Sequence, residues 1–150
     1  MVDEFDFEVI HTPDPAYREK MSINDSSVVY KLNYQSGTQT MMLLGDAEPV
    51  TSRDLEENCA EKLKSDVVQV GHHGCGNVSK ECYAAIGAKK YLWQAGNRFW
   101  YSDKGFGLGT HNTGVITTRN NICALGAKPT DIILDRHGPL AFELPMPLDD

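Results

Sequence analysis

The chain has 150 residues and a net charge of −7, with 41% hydrophobic and 23% charged residues. This length is enough for one domain with a buried core, so we predict a single domain over residues 1–150. The acidic balance argues against broad, non-specific binding to nucleic acid. No apolar run approaches the roughly 18 residues that a membrane-spanning helix needs.

Apolar periodicity divides the chain into strands and helices that alternate in its middle part. We predict strands at 5–10, 28–34, 39–44, 66–70, 90–94, 130–134 and 140–144. We predict helices at 48–64, 79–86 and 110–125, a loop or short helical turn at 17–25, and a long loop at 97–109. Thr51 or Ser52 is the expected cap of the first helix. Hairpins are expected at 28–44 and 130–144, so the order indicates an α/β architecture with helices packed on a mixed sheet.

The cysteines indicate a reducing compartment. The four of them form no CxxC pair, and their spacing does not suggest a disulfide framework. The acidic amino terminus has no signal-peptide pattern. We therefore expect reduced thiols in a cytoplasmic type of protein, although a fragment would say nothing about its parent's targeting.

Two segments share one pattern, an apolar strand that ends in glycine and leads directly into a side chain that can bind metal. The first ends in Gly45-Asp46 and the second in Gly71-His72-His73. If these strands are parallel neighbours joined by the predicted helix between them, Asp46 and His72 emerge at the same edge of the sheet. A carboxylate and an imidazole are suitable ligands for zinc, manganese or iron.

Each motif alone has a simpler interpretation. Asp46 could cap the following helix, and the two histidines could be a solvated or hydrogen-bonded loop pair. The occurrence of both motifs at strand ends, with a helix between them, favours a metal site.

Three stretches together resemble the carboxy-terminal half of the metallo-β-lactamase superfamily. They are NDSSVVYKLNY from residue 24, MMLLGDAE from residue 41 and LKSDVVQVGHHGCGN from residue 63. The similarity is greatest to the branch with the hydrolase domain of DNA-uptake competence proteins and the choline-phosphate esterases, and it covers about residues 22 to 97. The fold it implies is half of an αββα sandwich.

The resemblance also implies roles for individual residues. Asp46 matches an aspartate that bridges two metal ions, and one histidine of the HHG motif is a metal ligand. We assign His72 as this ligand, with His73 as the alternative. His73 would then be the catalytic residue that supports the metal site or helps the leaving group. Asn24 matches the start of a family strand, where a structural role is expected.

The sequence departs from the family in three places. The HxHxDH motif, which supplies most of the ligands, is absent, and no HxH occurs. This absence predicts a truncated domain that is inactive alone. Cys75 replaces the usual serine after HHG, where a thiol could bind metal or be incidental. His111, which follows a longer aromatic loop than is usual, could approach the site or lie away from it.

These residues lead us to expect part of a metal-dependent hydrolase that acts on a phosphodiester or phosphomonoester. The expected cofactor is a divalent metal, with zinc as the first choice and manganese or iron as alternatives. The alternatives are a metal-free interaction module and a β-lactamase or thioesterase. The aromatic residues around 97–109 could form a substrate wall or could pack in the core beside an exposed loop. Truncation would expose apolar surface, which favours a homodimer.

Overall fold

A computed structural model describes residues 5–17, 19, 22–76, 78–103, 105–135 and 138–149. The predicted α/β class is confirmed, because four helices accompany one six-stranded mixed sheet in this part of the chain. The strands are β1 (Phe5–His11), β2 (Val29–Tyr34), β3 (Gln39–Leu43), β4 (Val67–Gln69), β5 (Lys90–Trp93) and β6 (Ile132–Leu134). The helices are α1 (Pro49–Asn58), α2 (Lys80–Ile86), α3 (Asn97–Trp100) and α4 (Thr113–Ala124). None of the helices in the described ranges is long and apolar enough to cross a membrane.

The strands lie in the sheet in chain order, from β1 to β6. β1, β2 and β3 are antiparallel, which confirms the hairpin predicted at 28–44. β3, β4, β5 and β6 are parallel, with helical crossovers between them. β3 and β4 are parallel neighbours joined by α1. This is the arrangement that the sequence analysis needed for Asp46 and His72 to emerge at the same edge of the sheet.

Helix α1 spans Pro49–Asn58, so it begins one residue after the predicted start at 48 and ends six residues before the predicted end at 64. Its first residue is Pro49, which has no backbone N–H to leave unsatisfied and whose fixed φ suits a first turn. The expectation that Thr51 or Ser52 caps the helix is therefore wrong. Both lie buried inside it, and the Thr51 hydroxyl donates a hydrogen bond to the Asp25 carbonyl.

The hairpin predicted at 130–144 is wrong. β6 pairs in parallel with β5, and no strand occurs in the described residues 138–149. This segment instead crosses one face of the sheet, where Met146 packs against Met41 and Val67. The side chain of Gln39 holds it there through two hydrogen bonds of 2.9 Å to the Met146 backbone. Arg136 and His137, at the predicted turn, lie outside the described residues.

The two faces of the sheet are covered unequally. The helices bury one face in a core that includes Met42, Val68 and Trp93. The carboxy-terminal segment covers only part of the other face. Where β1 forms the edge of this face, Phe7 remains 64% exposed and Val9 remains 50% exposed.

Candidate functional site

The carboxyl ends of β3 and β4 are held together by the side chain of Gln69. Its Oε1 accepts hydrogen bonds of 2.9 Å from the backbone N–H groups of Leu44 and Gly45. Its Nε2 donates to the carbonyls of Gly45 and Val70. The backbone N–H of His72 then donates to the Gly45 carbonyl at 3.0 Å. The two motifs therefore meet at one edge of the sheet, as predicted.

The two histidines lie in a left-handed turn. The φ angles are +45° at His72, +53° at His73 and +76° at Gly74. Left-handed backbone costs roughly 1–3 kcal/mol at a residue other than glycine, and it persists where the surroundings impose it. Here the Trp93 indole N–H donates to the His73 carbonyl at 2.8 Å, and the Cys75 N–H donates to the His72 carbonyl at 2.8 Å. Strain of this kind is concentrated at functional sites.

The histidine that approaches Asp46 is His73. Its Nε2 lies 3.8 Å from Asp46 Oδ1, and both side chains are nearly half exposed. On the other side of the ring, the Nδ1–H donates to the Gln94 carbonyl at 2.8 Å. Metal-binding histidines are commonly fixed in this way, with one ring nitrogen on a carbonyl and the other directed at the metal.

His72 turns away from Asp46 and contacts Glu48 and Asn24 instead. Its Nδ1 lies 3.1 Å from Glu48 Oε1, and its Nε2 lies 3.4 Å from Asn24 Nδ2. The amide of Asn24 also donates to Glu48 Oε1 at 3.0 Å. The structure therefore brings Asp46 together with His73 and holds His72 in a separate hydrogen-bonded group.

Glu48 belongs to the site, although the sequence analysis assigned it no role. A hydrogen bond from Ser22 lowers its pKa below the ordinary value, against the opposing effect of burial. Hydrogen bonds from Asn24 and His72 lower the pKa further. Glu48 is therefore a carboxylate at neutral pH. The signal for it was its place two residues after Asp46 in the same strand-end motif.

Asp46 and His73 fit two positions of a metal site. Two donors about 2.0–2.1 Å from a tetrahedral zinc lie roughly 3.4 Å apart. The 3.8 Å between Asp46 Oδ1 and His73 Nε2 is therefore within reach of a small side-chain movement. Across the described ranges, no three or more His, Cys, Asp or Glu side chains are grouped to hold a metal.

Cys75 lies next to the site as a protonated thiol. Burial raises its pKa, and the nearby charge of Asp46 raises it further, while a hydrogen bond with Asn112 opposes them. The Cys75 carbonyl packs closely on Gly114 at the start of α4, where a Cβ would lie 1.8 Å from the carbonyl oxygen. Cys75 therefore contributes to the packing of the site, and its binding of metal stays a prediction.

His111 is separated from His73 by one aromatic ring. The centroid of Phe99 lies 6.0 Å from that of His73 and 5.0 Å from that of His111. The aromatic residues of this region differ in exposure, as expected for core packing beside an exposed loop, and a substrate wall stays a prediction. Trp93 is buried in the core, whereas Phe106 is 86% exposed. The loop expected at 97–109 also begins with the short helix α3, which carries Phe99.

Comparison with known proteins found no matching family model, no matching curated protein and no matching solved structure.

Proposed function

We propose that this chain is the carboxy-terminal part of a metal-dependent hydrolase with the metallo-β-lactamase fold, acting on phosphate esters. The observation that carries the proposal is the pairing of Asp46 with His73 at the ends of two neighbouring parallel strands. Sheet ends of this kind support binding sites because the backbone is fixed while the side chains project into open space.

The contacts favour His73, rather than the predicted His72, as the metal ligand. His73 presents Nε2 toward Asp46, while the Gln94 carbonyl holds its other ring nitrogen. His72 has Glu48 on one ring nitrogen and Asn24 on the other. We therefore propose that His72 supports the site, and that the strained turn serves to direct the two rings apart.

A divalent metal, zinc first, would supply a water of lowered pKa and polarise the phosphoryl oxygen. Asp46 and His73 would hold it with one oxygen and one nitrogen, a donor set that zinc accepts. Gln69 would fix the separation of the two strand ends through its hydrogen bonds. Two ligands do not define a catalytic geometry, so we expect weak metal binding and little turnover from this chain alone.

One face of the sheet is only partly covered, and this supports the proposal that the chain is one half of a two-layered sandwich. Phe5 and Phe7 of β1 and Tyr30 of β2 lie on the face opposite the helices and are 46%, 64% and 37% exposed. A second apolar layer on this face would bury them. The αββα sandwich is the arrangement in which each sheet carries helices on one face and a second sheet on the other.

The proposal is tested by titrating the ¹⁵N-histidine-labelled chain with Zn²⁺ and following the ring nitrogens by NMR. We expect the Nε2 signal of His73 to shift, and we expect Asp46→Asn or His73→Ala to abolish saturable binding. His72→Ala should weaken binding less, within the roughly 10–100-fold of a supporting residue. Asp6→Asn, an exposed aspartate on β1, is the matched control.

Two results would count against these assignments. Loss of binding in His72→Ala but not in His73→Ala would restore His72 as the ligand. Unchanged histidine signals at millimolar Zn²⁺ would contradict the metal site itself. Because little turnover is expected from this chain alone, hydrolysis of bis-p-nitrophenyl phosphate, a thioester and a β-lactam by the proposed full-length parent, with added zinc or manganese, then compares the reaction classes.

A second candidate is a metal-free interaction module derived from the same fold. The exposed apolar residues of β1 favour it, because a contiguous apolar surface commonly marks a contact with another protein. In that case Asp46 and His73 are a surface pair, and Asp46→Asn leaves every binding property unchanged.

A further inference from the structure

The carboxyl end of β6 carries an aspartate with an unsatisfied oxygen. Asp135 follows directly after Leu134, the last residue of β6. Its Oδ1 is buried and accepts no hydrogen bond from any residue in the described ranges. Most buried polar atoms of side chains have a hydrogen-bond partner, because water no longer solvates them. The unpaired oxygen of Asp135 therefore indicates a place where a donor from outside the chain can bind.

Asp135 lines a cavity of about 360 Å³ whose other walls are mainly apolar. The sheet contributes Leu92 of β5 and Ile133 of β6, which pack beside the apolar cluster on the face opposite the helices. The carboxy-terminal segment contributes Leu140 and Phe142, which are 51% and 43% exposed. The volume falls in the range of roughly 300–1,000 Å³ that is common for small-molecule sites. The cavity can therefore hold a small ligand with an apolar part.

The cavity lies at the carboxyl ends of two parallel strands. Trp93 of β5 pairs with Leu134 of β6, so Gln94 and Asp135 are the next residues of neighbouring strands. Ligands of parallel sheets commonly bind outside the carboxyl ends of the strands. Gln94 also lines the cavity, and its carbonyl accepts the hydrogen bond from His73. The cavity and the candidate metal site are therefore two separate places that share one residue.

The unpaired oxygen and the apolar walls together favour a protonated amine with an apolar body. A carboxylate oxygen only accepts hydrogen bonds, so its partner must be a donor. A positively charged donor is preferred, because charge-assisted hydrogen bonds are roughly twice as strong as neutral ones. The ring of Phe142 adds an aromatic surface that attracts a cation. A metal ion is less suitable, because no three His, Cys, Asp or Glu side chains are grouped for one among the described residues.

We propose that this cavity binds a primary amine, whose ammonium group donates a hydrogen bond to Asp135 Oδ1 while its apolar part lies against Leu140 and Phe142. Binding requires no metal, so the proposal goes beyond the proposed hydrolase and does not depend on it. A quaternary ammonium carries the same charge but has no N–H, so it would leave the oxygen unpaired. The cavity should therefore distinguish a primary amine from a quaternary one.

The test compares ligands that share a phenylethyl group, namely 2-phenylethylamine, its N,N-dimethyl and N,N,N-trimethyl derivatives, and 2-phenylethanol. Each is titrated at neutral pH into the ¹⁵N-labelled chain in EDTA, which keeps metal out of the experiment. We expect the primary amine to bind at least roughly tenfold more tightly than the trimethyl derivative or the alcohol, the usual effect of one hydrogen bond to a charged group. Its binding should shift the amide signals of Gln94, Leu140 and Phe142.

The dimethyl derivative separates the hydrogen bond from the size of the ligand. It is nearly as bulky as the trimethyl derivative, but its protonated form keeps one N–H. We expect it to bind more tightly than the trimethyl derivative. Equal affinity of these two ligands would assign any preference for the primary amine to size, and would overturn the role of Asp135 as the acceptor.

Two substitutions in the cavity test its walls. Asp135→Asn keeps the size of the side chain and removes its charge, so it should weaken the primary amine at least roughly tenfold and change the alcohol little. Phe142→Ala removes part of the apolar wall and should weaken all the ligands. Because Phe142 is nearly half exposed, this change should leave the fold intact. Glu143→Gln is the matched control, since Glu143 is an exposed carboxylate beside Phe142 that does not line the cavity.

Three results would overturn the proposal. They are equal affinity of the unaltered chain for the primary amine and the trimethyl derivative, unchanged amine binding in Asp135→Asn, and equal losses in Asp135→Asn and Glu143→Gln. The amide spectrum of each variant shows whether it is folded. If Asp135→Asn does not fold, the comparison of ligands on the unaltered chain still decides the outcome. Each of these results leaves the Zn²⁺ titration of His73 as a separate test of the metal site.

Discussion

A Cβ added to Gly74 would lie 2.1 Å from Cζ2 of Trp93, well inside van der Waals contact. Gly74 is the last residue of the left-handed turn, and the Trp93 indole also donates to the carbonyl just before it. The buried tryptophan therefore fixes the end of the turn that carries His73, through packing and one hydrogen bond.

Gly74→Ala should destabilise the protein by roughly 2–5 kcal/mol, the combined cost of left-handed backbone and an overpacked core. Urea unfolding measures this change in the free energy of unfolding. Gly96→Ala is the control, because no atom lies within 4 Å of a Cβ there and its φ is −55°. Equal stability of the two variants would contradict the packing of Gly74 on Trp93.

His72 should hold its proton on Nδ1 when the ring is neutral. A carboxylate only accepts hydrogen bonds, so the Nδ1 facing Glu48 must donate, and the other ring nitrogen accepts from the Asn24 amide. ¹⁵N NMR at a pH where the ring is neutral distinguishes the tautomers. Glu48→Ala should shift His72 toward the Nε2–H form, while Glu57→Ala, an exposed change on α1, should not. An Nε2–H tautomer in the unaltered chain would contradict the observed contacts.

The loop at 105–109 should lose its order in acid. The backbone N–H groups of Gly107, Gly105 and Phe106 donate hydrogen bonds to the Asp103 carboxylate and lower its pKa in the folded protein. The contribution of these bonds is therefore present above the unfolded pKa and is lost as pH falls through the folded value. The amide signals of Gly105 and Gly107 should therefore move together at a pH below the ordinary aspartate range. Asp103→Asn should remove this transition. Amide signals that titrate at the ordinary value would contradict the stabilising bonds.

The sequence was sufficient to predict the strand ends and their juxtaposition. Apolar runs that end in glycine identify β3 and β4, and the helix between them is typical of a parallel crossover, which the sequence analysis took as its condition. Asp46 and the histidines consequently lie where the pattern placed them, at one sheet edge. These features depend on local periodicity and on chain connectivity, which are both visible in the sequence.

The contacts of each histidine could not be predicted in the same way. Two adjacent residues in a left-handed turn point in directions that depend on Trp93 and Gln94, which are distant in sequence. The prediction of a strand at 140–144 failed for a similar reason. Apolar residues at every second position, such as Leu144 and Met146, suit a strand as well as a segment that packs across a sheet face.

We predict that two copies of the chain associate through the exposed face of β1 and β2. Phe5, Phe7 and Val9 lie on this face with no charged residue between them on the same side of β1, because Asp6 and Glu8 point to the other side. We expect sedimentation to show a species of twice the 16.6 kDa chain mass at micromolar concentrations. Phe7→Asp should dissociate it by placing a charge in the apolar contact.

Phe106→Asp is the matched control, since it adds the same charge to a phenylalanine that is also exposed but lies on the loop. It should leave the association unchanged. Dissociation by Phe106→Asp alone would assign the contact to the loop at 105–109 and contradict the role of the β1 face. A chain that stays monomeric at every concentration would contradict self-association, and the face would then be open to the second layer of the proposed sandwich.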